Sequence, residues 1–389
     1  MPEGWIGSDN FSILETGFGL GLNFLATWQA WRTSKPGGRL HFVSVERHPF
    51  RRDDLAGLLA PHSGLASLAT ELLAQWPMLT PGFHRLDFDD GSLTLTLLFG
   101  DAQTLLPQLV ANIDAVYLDG FSPARNPELW SAALLRSITR LCKPRATLAT
   151  WSVAGEVRRA LEQAGWRLER RPGFAAKREM LIGRLENAVS PAPTFRRPRS
   201  SLERRAIVIG AGLAGAAICE RLASRGWQIE LFERHGAPAQ EASGNPAGIL
   251  LPHLAKDDAL AARFSRACYL YALRLFAELP ALRWSACGVL QIARDPAHEA
   301  LQRETVRQLE LPDEFVCFLE QEAASILVGH PMAHGGWWFP GGGWASPGSL
   351  CTTLLMAGRR FIHAHFNTEV TALGRTTDCL LYTSDAADE

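Results

Sequence analysis

Short apolar runs alternate with stretches of helical period over the first half of the chain. "SILETG", "HFVSVE", "LTLTLLFGD", "DAVYLDGF" and "ATLATW" read as buried strands, whereas "NFLATWQAWR" and "VAGEVRRALEQAG" repeat apolar residues as amphipathic helices do. Alternating strands and helices predict a doubly wound, Rossmann-like α/β domain over residues 1–186. Periodicity then stops. "NAVSPAPTFRRPRSSLER", with its three prolines, predicts a linker over 187–204. A new βαβ unit opens at "AIVIGAG", so a second domain is expected over 205–389, not a continuation of the first sheet. Helical "DALAARFSRACYLYALRLFAEL", strand-like "GVLQIARD" and the Gly/Trp-rich "HGGWWFPGGGWASPGSL" follow. "RRFIHAHFNTEVTALGR" alternates as a strand does, while "CLLYTSDAADE" fits neither a capped helix nor a strand continuing the sheet and stays unassigned.

Composition narrows the class. A chain of 389 residues with 47% hydrophobic and 20% charged content is that of a soluble globular protein of more than one domain. No run approaches the roughly 18 apolar residues of a membrane helix, and the first residues lack a charged leader with an apolar core, so no membrane or export segment is expected. Seven cysteines without a C-x-x-C pair argue against a disulfide framework or a structural zinc site. The chain is therefore expected in the cytoplasm, without metal. A formal net charge of −1 excludes a uniformly basic coat, but from Arg167 to Arg205 eleven Lys/Arg stand against four Glu. That local excess reads either as a phosphate-contacting face or as an ordinary solvated linker.

Two glycine turns carry the chemistry. In the first, Glu15 ends a strand and Gly17, Gly19 and Gly21 alternate before a helix, which lets backbone N–H groups approach a ligand without an intervening Cβ. An acid at that strand end suits a sulfonium and amino-acid cofactor better than a pyrophosphate, which makes S-adenosylmethionine the candidate. Glu46 ends the next strand, placed to accept from ribose hydroxyls, and Asp101 ends another, placed to face the adenine amino group. "DAVYLDGFSPARNPELW" then puts Asp119 and Phe121 just past a strand, on the edge where substrate meets cofactor. Asp119 is expected to orient or deprotonate an amine, with prolines and aromatics walling off water.

The second turn, Gly210, Gly212 and Gly215, is a full G-x-G-x-x-G between a strand and a helix, and Glu233 closes the following strand. This is a dinucleotide fingerprint, with pyrophosphate at the helix N-terminus and Glu233 on a ribose. The fingerprint alone serves NAD and FAD equally. The small-residue loop "QEASGNPAGILLPHL" beyond the second strand suits close approach to a flavin ring, so FAD is favoured.

Taken together, "ETGFGLGLNFL", "LDGFSPARNPELW", "GFAAKREMLIG", "IGAGLAGA" and "ASGNPAGILLP" resemble, in order, the bifunctional tRNA 5-methylaminomethyl-2-thiouridine biosynthesis family. The resemblance implies a methyltransferase domain using S-adenosylmethionine fused to an FAD-dependent oxidoreductase related to glycine and D-amino-acid oxidases. Its flavin half would remove the carboxymethyl group from 5-carboxymethylaminomethyluridine at the tRNA wobble position, and its other half would methylate the exposed amine. It further implies that Ser243, Gly244, Asn245 and Gly248 lie near the flavin, that Val370 contacts adenine through its backbone, and that Asp119 and Phe121 face the aminomethyl group. The family has residues before the first glycine strand and a longer oxidoreductase. The chain therefore reads as a fragment at both ends, expected to hold little FAD and to leave the carboxymethyl group in place. A small-molecule amine oxidase fused to an unrelated methyltransferase, and a noncatalytic tRNA-binding remnant, stand as alternatives.

Overall fold

The structure is a computed structural model and describes residues 4–34, 37–173, 178–186, 204–375 and 380–384. It divides into two compact units, Met1–Arg196 and Arg197–Glu389. Of the expected linker, only Arg204 lies within the described residues.

The first unit is one eight-stranded sheet. Its strands are β1 (Asn10–Thr16), β2 (Arg39–Glu46), β3 (Gly82–Phe88), β4 (Leu93–Phe99), β5 (Ile113–Leu118), β6 (Cys142–Thr150), β7 (Trp166–Pro172) and β8 (Glu179–Leu185), in the order β3-β4-β2-β1-β5-β6-β8-β7. The five strands read from the sequence are β1, β2, β4, β5 and β6, and they pair in parallel. Strands β1, β2, β4 and β5 are largely covered on both faces, which is why they appear as near-continuous apolar runs. Alternate residues feed opposite layers: Ile13, Phe42 and Leu97 join one hydrophobic cluster, Leu14, Val43 and Leu98 the other. The reading missed β3, β7 and β8. All three pair antiparallel towards the sheet's ends, and edge strand β7 is mostly exposed past Trp166, so charged residues interrupt its apolar pattern.

The chain moves from one side of the sheet to the other between β4 and β5, which places a switch point beside β1, at the carboxyl end where open α/β sheets bind ligands. The helix Leu22–Ser34 follows the glycine turn and buries Phe24, Leu25, Trp28 and Trp31. Phe24 and Trp28 pack on Phe88, and Trp28 donates to Asp89 at 2.7 Å. The second expected helix is Gly155–Gln163.

The second unit begins with β9 (Arg205–Ile209), helix Leu213–Ala223 and β10 (Gln228–Phe232). Then come β11 (Gly248–Leu250), β12 (Trp284–Ser285), β13 (Val289–Ile292), β14 (Cys317–Leu319), β15 (Gly336–Phe339), β16 (Gly343–Ala345), β17 (Ile362–His365), β18 (Val370–Arg375) and β19 (Leu380–Ser384). A parallel sheet β17-β10-β9 carries the dinucleotide-type βαβ unit. Two small antiparallel sheets, β11-β16-β12 and β13-β15-β14, use the Gly/Trp-rich stretch, and the expected long helix is Leu260–Ala277.

Two readings change here. "RRFIHAHFNTEVTALGR" forms two strands, β17 and β18, because the chain turns through Asn367 at φ 54°. The unassigned tail contains β19, which pairs antiparallel with β18 instead of continuing the parallel sheet. Periodicity within one strand says nothing of its partner.

Candidate functional sites

The two glycine turns share one local design. In each, a glutamate closing the second strand accepts a hydrogen bond from the turn and another from the backbone two residues on. Glu46 takes Gly19 N–H at 2.9 Å and His48 N–H at 2.8 Å. Glu233 takes Ala211 N–H at 2.7 Å and His235 N–H at 3.0 Å. A carboxylate has about four acceptor sites, so each keeps capacity for a ligand while bracing the turn.

In the first unit, Gly17, Gly19 and Gly21 sit at φ 87°, 52° and 72°, the left-handed region that favours glycine. A Cβ on Gly17 would stand 3.2 Å from Gly120, and one on Gly21 would strike the Phe18 ring at 2.6 Å. Over this turn opens a cavity of about 840 Å³ lined by Gly17, Gly19, Glu46, Asp101, Asp119 and Phe121, among others. Asp101 caps the helix after β4, accepting from Gln103 N–H at 2.7 Å, and faces Arg47 at 3.5 Å.

Glu15 is placed differently from the expectation of a direct cofactor contact. It is fully buried and lines neither cavity; its carboxyl oxygens accept from Ser44 Oγ at 2.6 Å and Asn23 Nδ2 at 2.9 Å. Burial pushes its pKa up to about 8, against the lowering effect of the Ser44 and Asn23 hydrogen bonds. Glu15 therefore reaches the cavity only through Asn23, a residue the sequence reading missed. The signal was faint, since an asparagine two residues past the last glycine looks like an ordinary helix-start residue.

Asn23 also donates to Asp119 Oδ2 at 2.8 Å, and Asp119 Oδ1 accepts from Gly120 N–H at 2.8 Å and Trp151 Nε1 at 3.1 Å. Three donors fix this carboxylate and leave about one acceptor site open. Asp119 lines two cavities. A second, more apolar space of about 800 Å³ lies on its other side, lined by Trp5, Tyr117, Trp151 and Met180, and it shares Asn23, Asp119, Gly120, Phe121 and Arg125 with the first. Phe121 is 70% exposed at this boundary, its loop held by Trp130 Nε1 donating to the Phe121 carbonyl at 2.9 Å. One cavity thus has the polar, glycine-braced lining that fits a charged nucleoside cofactor, and the other the aromatic lining that fits a planar substrate.

In the second unit, Gly210 has φ 91° and donates to Phe232 O at 2.7 Å, while a Cβ on Gly215 would stand 1.8 Å from the Gly210 carbonyl. Helix and strand can approach this closely only with glycine there. A cavity of about 310 Å³ over the turn is lined by Gly210, Gly212, Glu233 and Val370, which were expected at the adenosine end of a dinucleotide, by Ser243, which was expected near the flavin, and by Arg234 and Glu241. Ser243 Oγ accepts from Leu213 N–H at 3.1 Å at the helix start. Gly215, Gly244, Asn245 and Gly248 do not line this cavity. Gly244 packs under the Ala239 carbonyl, Asn245 Nδ2 donates to Ala242 O at 3.2 Å, and Gly248 pairs with Ala345 in β11.

In the basic stretch, three of the cations are paired with glutamates that the count already sets against them. Arg167, Arg170 and Arg171 pair with Glu186, Glu179 and Glu169 at 3.3, 3.3 and 2.9 Å. Lys177, Arg196, Arg197 and Arg199 lie outside the described residues. Among the described residues no helix is long and apolar enough to cross a membrane.

The family described as S-adenosyl-L-methionine-dependent methyltransferase is matched by residues 63–186, and that described as FAD dependent oxidoreductase by residues 205–386. The first match begins after the glycine turn and Glu46, so both lie outside it. Similar curated proteins, each called "tRNA 5-methylaminomethyl-2-thiouridine biosynthesis bifunctional protein MnmC", include that of Azoarcus sp. (strain BH72), 52% identical over 95% of this chain and 58% of the relative. Those of Aromatoleum aromaticum and Cupriavidus necator are 51% and 47% identical, over 97% and 96% of this chain and 60% and 58% of theirs. The chain thus spans less than two thirds of the length of these relatives. With a methyltransferase unit followed by a flavin-type unit and about half its residues shared across both, the chain belongs to the family of tRNA 5-methylaminomethyl-2-thiouridine biosynthesis bifunctional proteins.

Proposed function

We propose that the first unit transfers a methyl group from S-adenosylmethionine to the 5-aminomethyl group of a tRNA wobble uridine. The observation that carries this reading is Asp119, fixed by three donors on the wall common to a glycine-braced polar cavity and an aromatic one. When bound, S-adenosylmethionine supplies an electrophilic methyl on a sulfonium. Gly17, Gly19, Glu46 and Asp101 would hold it, and the free acceptor site of Asp119 takes one N–H of the substrate amine, which aims the nitrogen lone pair. Phe121 and Trp151 flank the same carboxylate and keep water from the reacting face.

The second unit is read as part of the FAD-dependent oxidoreductase that removes the carboxymethyl group from 5-carboxymethylaminomethyl-(2-thio)uridine. FAD, when bound, supplies a two-electron acceptor for the CH–NH group. Gly210, Gly212, Glu233 and Val370 would hold its adenosine diphosphate, with Ser243, Gly244, Asn245 and Gly248 on the flavin side. Free cysteines and a tRNA substrate support a cytoplasmic setting. The deciding experiment incubates the protein with S-adenosylmethionine and tRNA bearing 5-aminomethyl-2-thiouridine, followed by nucleoside mass spectrometry. Formation of 5-methylaminomethyl-2-thiouridine is expected; an unchanged nucleoside in the presence of bound S-adenosylmethionine would refute the substrate assignment.

A further inference from the structure

The lone acidic residue of β10 and the two histidines of β17 meet on one face of the parallel sheet. Glu230 is in register with His363, and Phe232 with His365. Residues two apart on a strand share a face, so Glu230, Phe232, His363 and His365 align on one side while Ile229 and Leu231 fill the core on the other. His365 Nε2 lies 2.7 Å from Glu230 Oε2, and His363 Nδ1 lies 3.2 Å from the same oxygen. One ligand atom from each residue falls within 4.8 Å of the other two.

We propose that Glu230, His363 and His365 form a binding site for a divalent cation of the zinc class. Two imidazoles and one carboxylate are the donor set that borderline first-row cations take in preference to magnesium or calcium, which favour all-oxygen shells. Tetrahedral coordination at about 2.0–2.1 Å needs ligand atoms about 3.3 Å apart. The Glu230–His363 separation of 3.2 Å is already close to that value, the Glu230–His365 hydrogen bond opens by about half an ångström as the ion replaces its shared proton, and the two imidazole ligand atoms stand within 4.8 Å of each other. Solvent completes the shell, since the side chains of His363, Glu230 and His365 are 73%, 39% and 32% exposed.

The second strand adds a structural consequence. The His365 ring stacks on Phe232 at 4.6 Å and 7°, and Phe232 lines the cavity at the second glycine turn. An ion here ties β17 to β10 and fixes the ring that backs that cavity. The spacing H-x-H with a glutamate far upstream in sequence is invisible to motif reading, which is why no metal was expected.

The test is titration of the full chain with Co²⁺ and Zn²⁺ alone, read by visible d–d absorption and by calorimetry. Wild type and the His363→Ala/His365→Ala and Glu230→Gln variants are compared, each checked for unchanged circular dichroism. One equivalent of ion in the wild type, with affinity lowered at least about tenfold in both variants, is expected, since loss of a ligand costs no less than loss of an outer-shell partner. Absence of binding by the wild type, or equal binding by the double variant, would overturn the assignment. A near-ultraviolet thiolate band would do so too, by placing the ion on a cysteine.

Discussion

Glu15 shows how far a single residue's meaning depends on its burial. Its place at the end of the first strand was legible in the sequence, and it suggested a cofactor contact; its side chain turned out to be sealed beneath the turn, with Asn23 carrying its influence outward. A sequence gives the position of a carboxylate along a strand but not the layer of side chains above it. The raised pKa has a measurable consequence. Between its ordinary value of 4.5 and about 8, the folded state binds more protons at Glu15 than the unfolded chain does, so stability from this group falls as pH rises across that window. Glu15→Gln, which imitates the protonated carboxyl, is expected to flatten this decline and to raise the urea midpoint at pH 8 relative to wild type, with little difference near pH 5. Parallel pH profiles for the two proteins would show that the carboxyl is not held protonated.

At the scale of elements, the strand–turn–helix units were the most legible part of the molecule, because glycine spacing and strand-closing acids are local signals. The antiparallel strands β3, β7 and β8 and the β18–β19 pair were not, because charged or solvated positions interrupt their apolar pattern and propensity alone does not name a partner. The cavities were legible only in part: Gly210, Gly212, Glu233 and Val370 line the second one, but nothing local announced Arg234 or Trp151 as wall residues. The glycines of the two turns are not equivalent, and substitution separates their roles. Gly215→Ala places a Cβ 1.8 Å from a backbone carbonyl that cannot swing away, so the helix must move off the strand. The expected cost is about 1–3 kcal/mol or more, seen as a lowered denaturation midpoint of the second unit. Gly19→Ala meets nothing within 4 Å and has φ 52°, so it should cost only about 1–2 kcal/mol while placing a methyl at the wall of the first cavity. Its expected signature is weakened S-adenosylmethionine binding in a folded protein. Wild-type S-adenosylmethionine affinity in a folded Gly19→Ala variant would contradict this division.

Across the whole molecule, each unit has its own hydrophobic clusters and its own ligand cavity. Ligands should therefore stabilise them separately by mass action. In a thermal scan, S-adenosylmethionine is expected to raise the transition of the first unit and adenosine diphosphate or FAD that of the second; a single transition raised equally by either ligand would argue against separate sites. The account rests most heavily on Asp119 as the group that aims the amine across the wall between two cavities. The direct measurement is single-turnover methylation of 5-aminomethyl-2-thiouridine tRNA by wild type and Asp119→Asn, together with S-adenosylmethionine affinity by calorimetry. Asparagine keeps the shape but loses the charge and an acceptor, so the rate should fall by about 10²–10⁴ while cofactor affinity stays near wild type. An unchanged rate, or a rate loss matched by an equal loss of cofactor binding, would contradict the account.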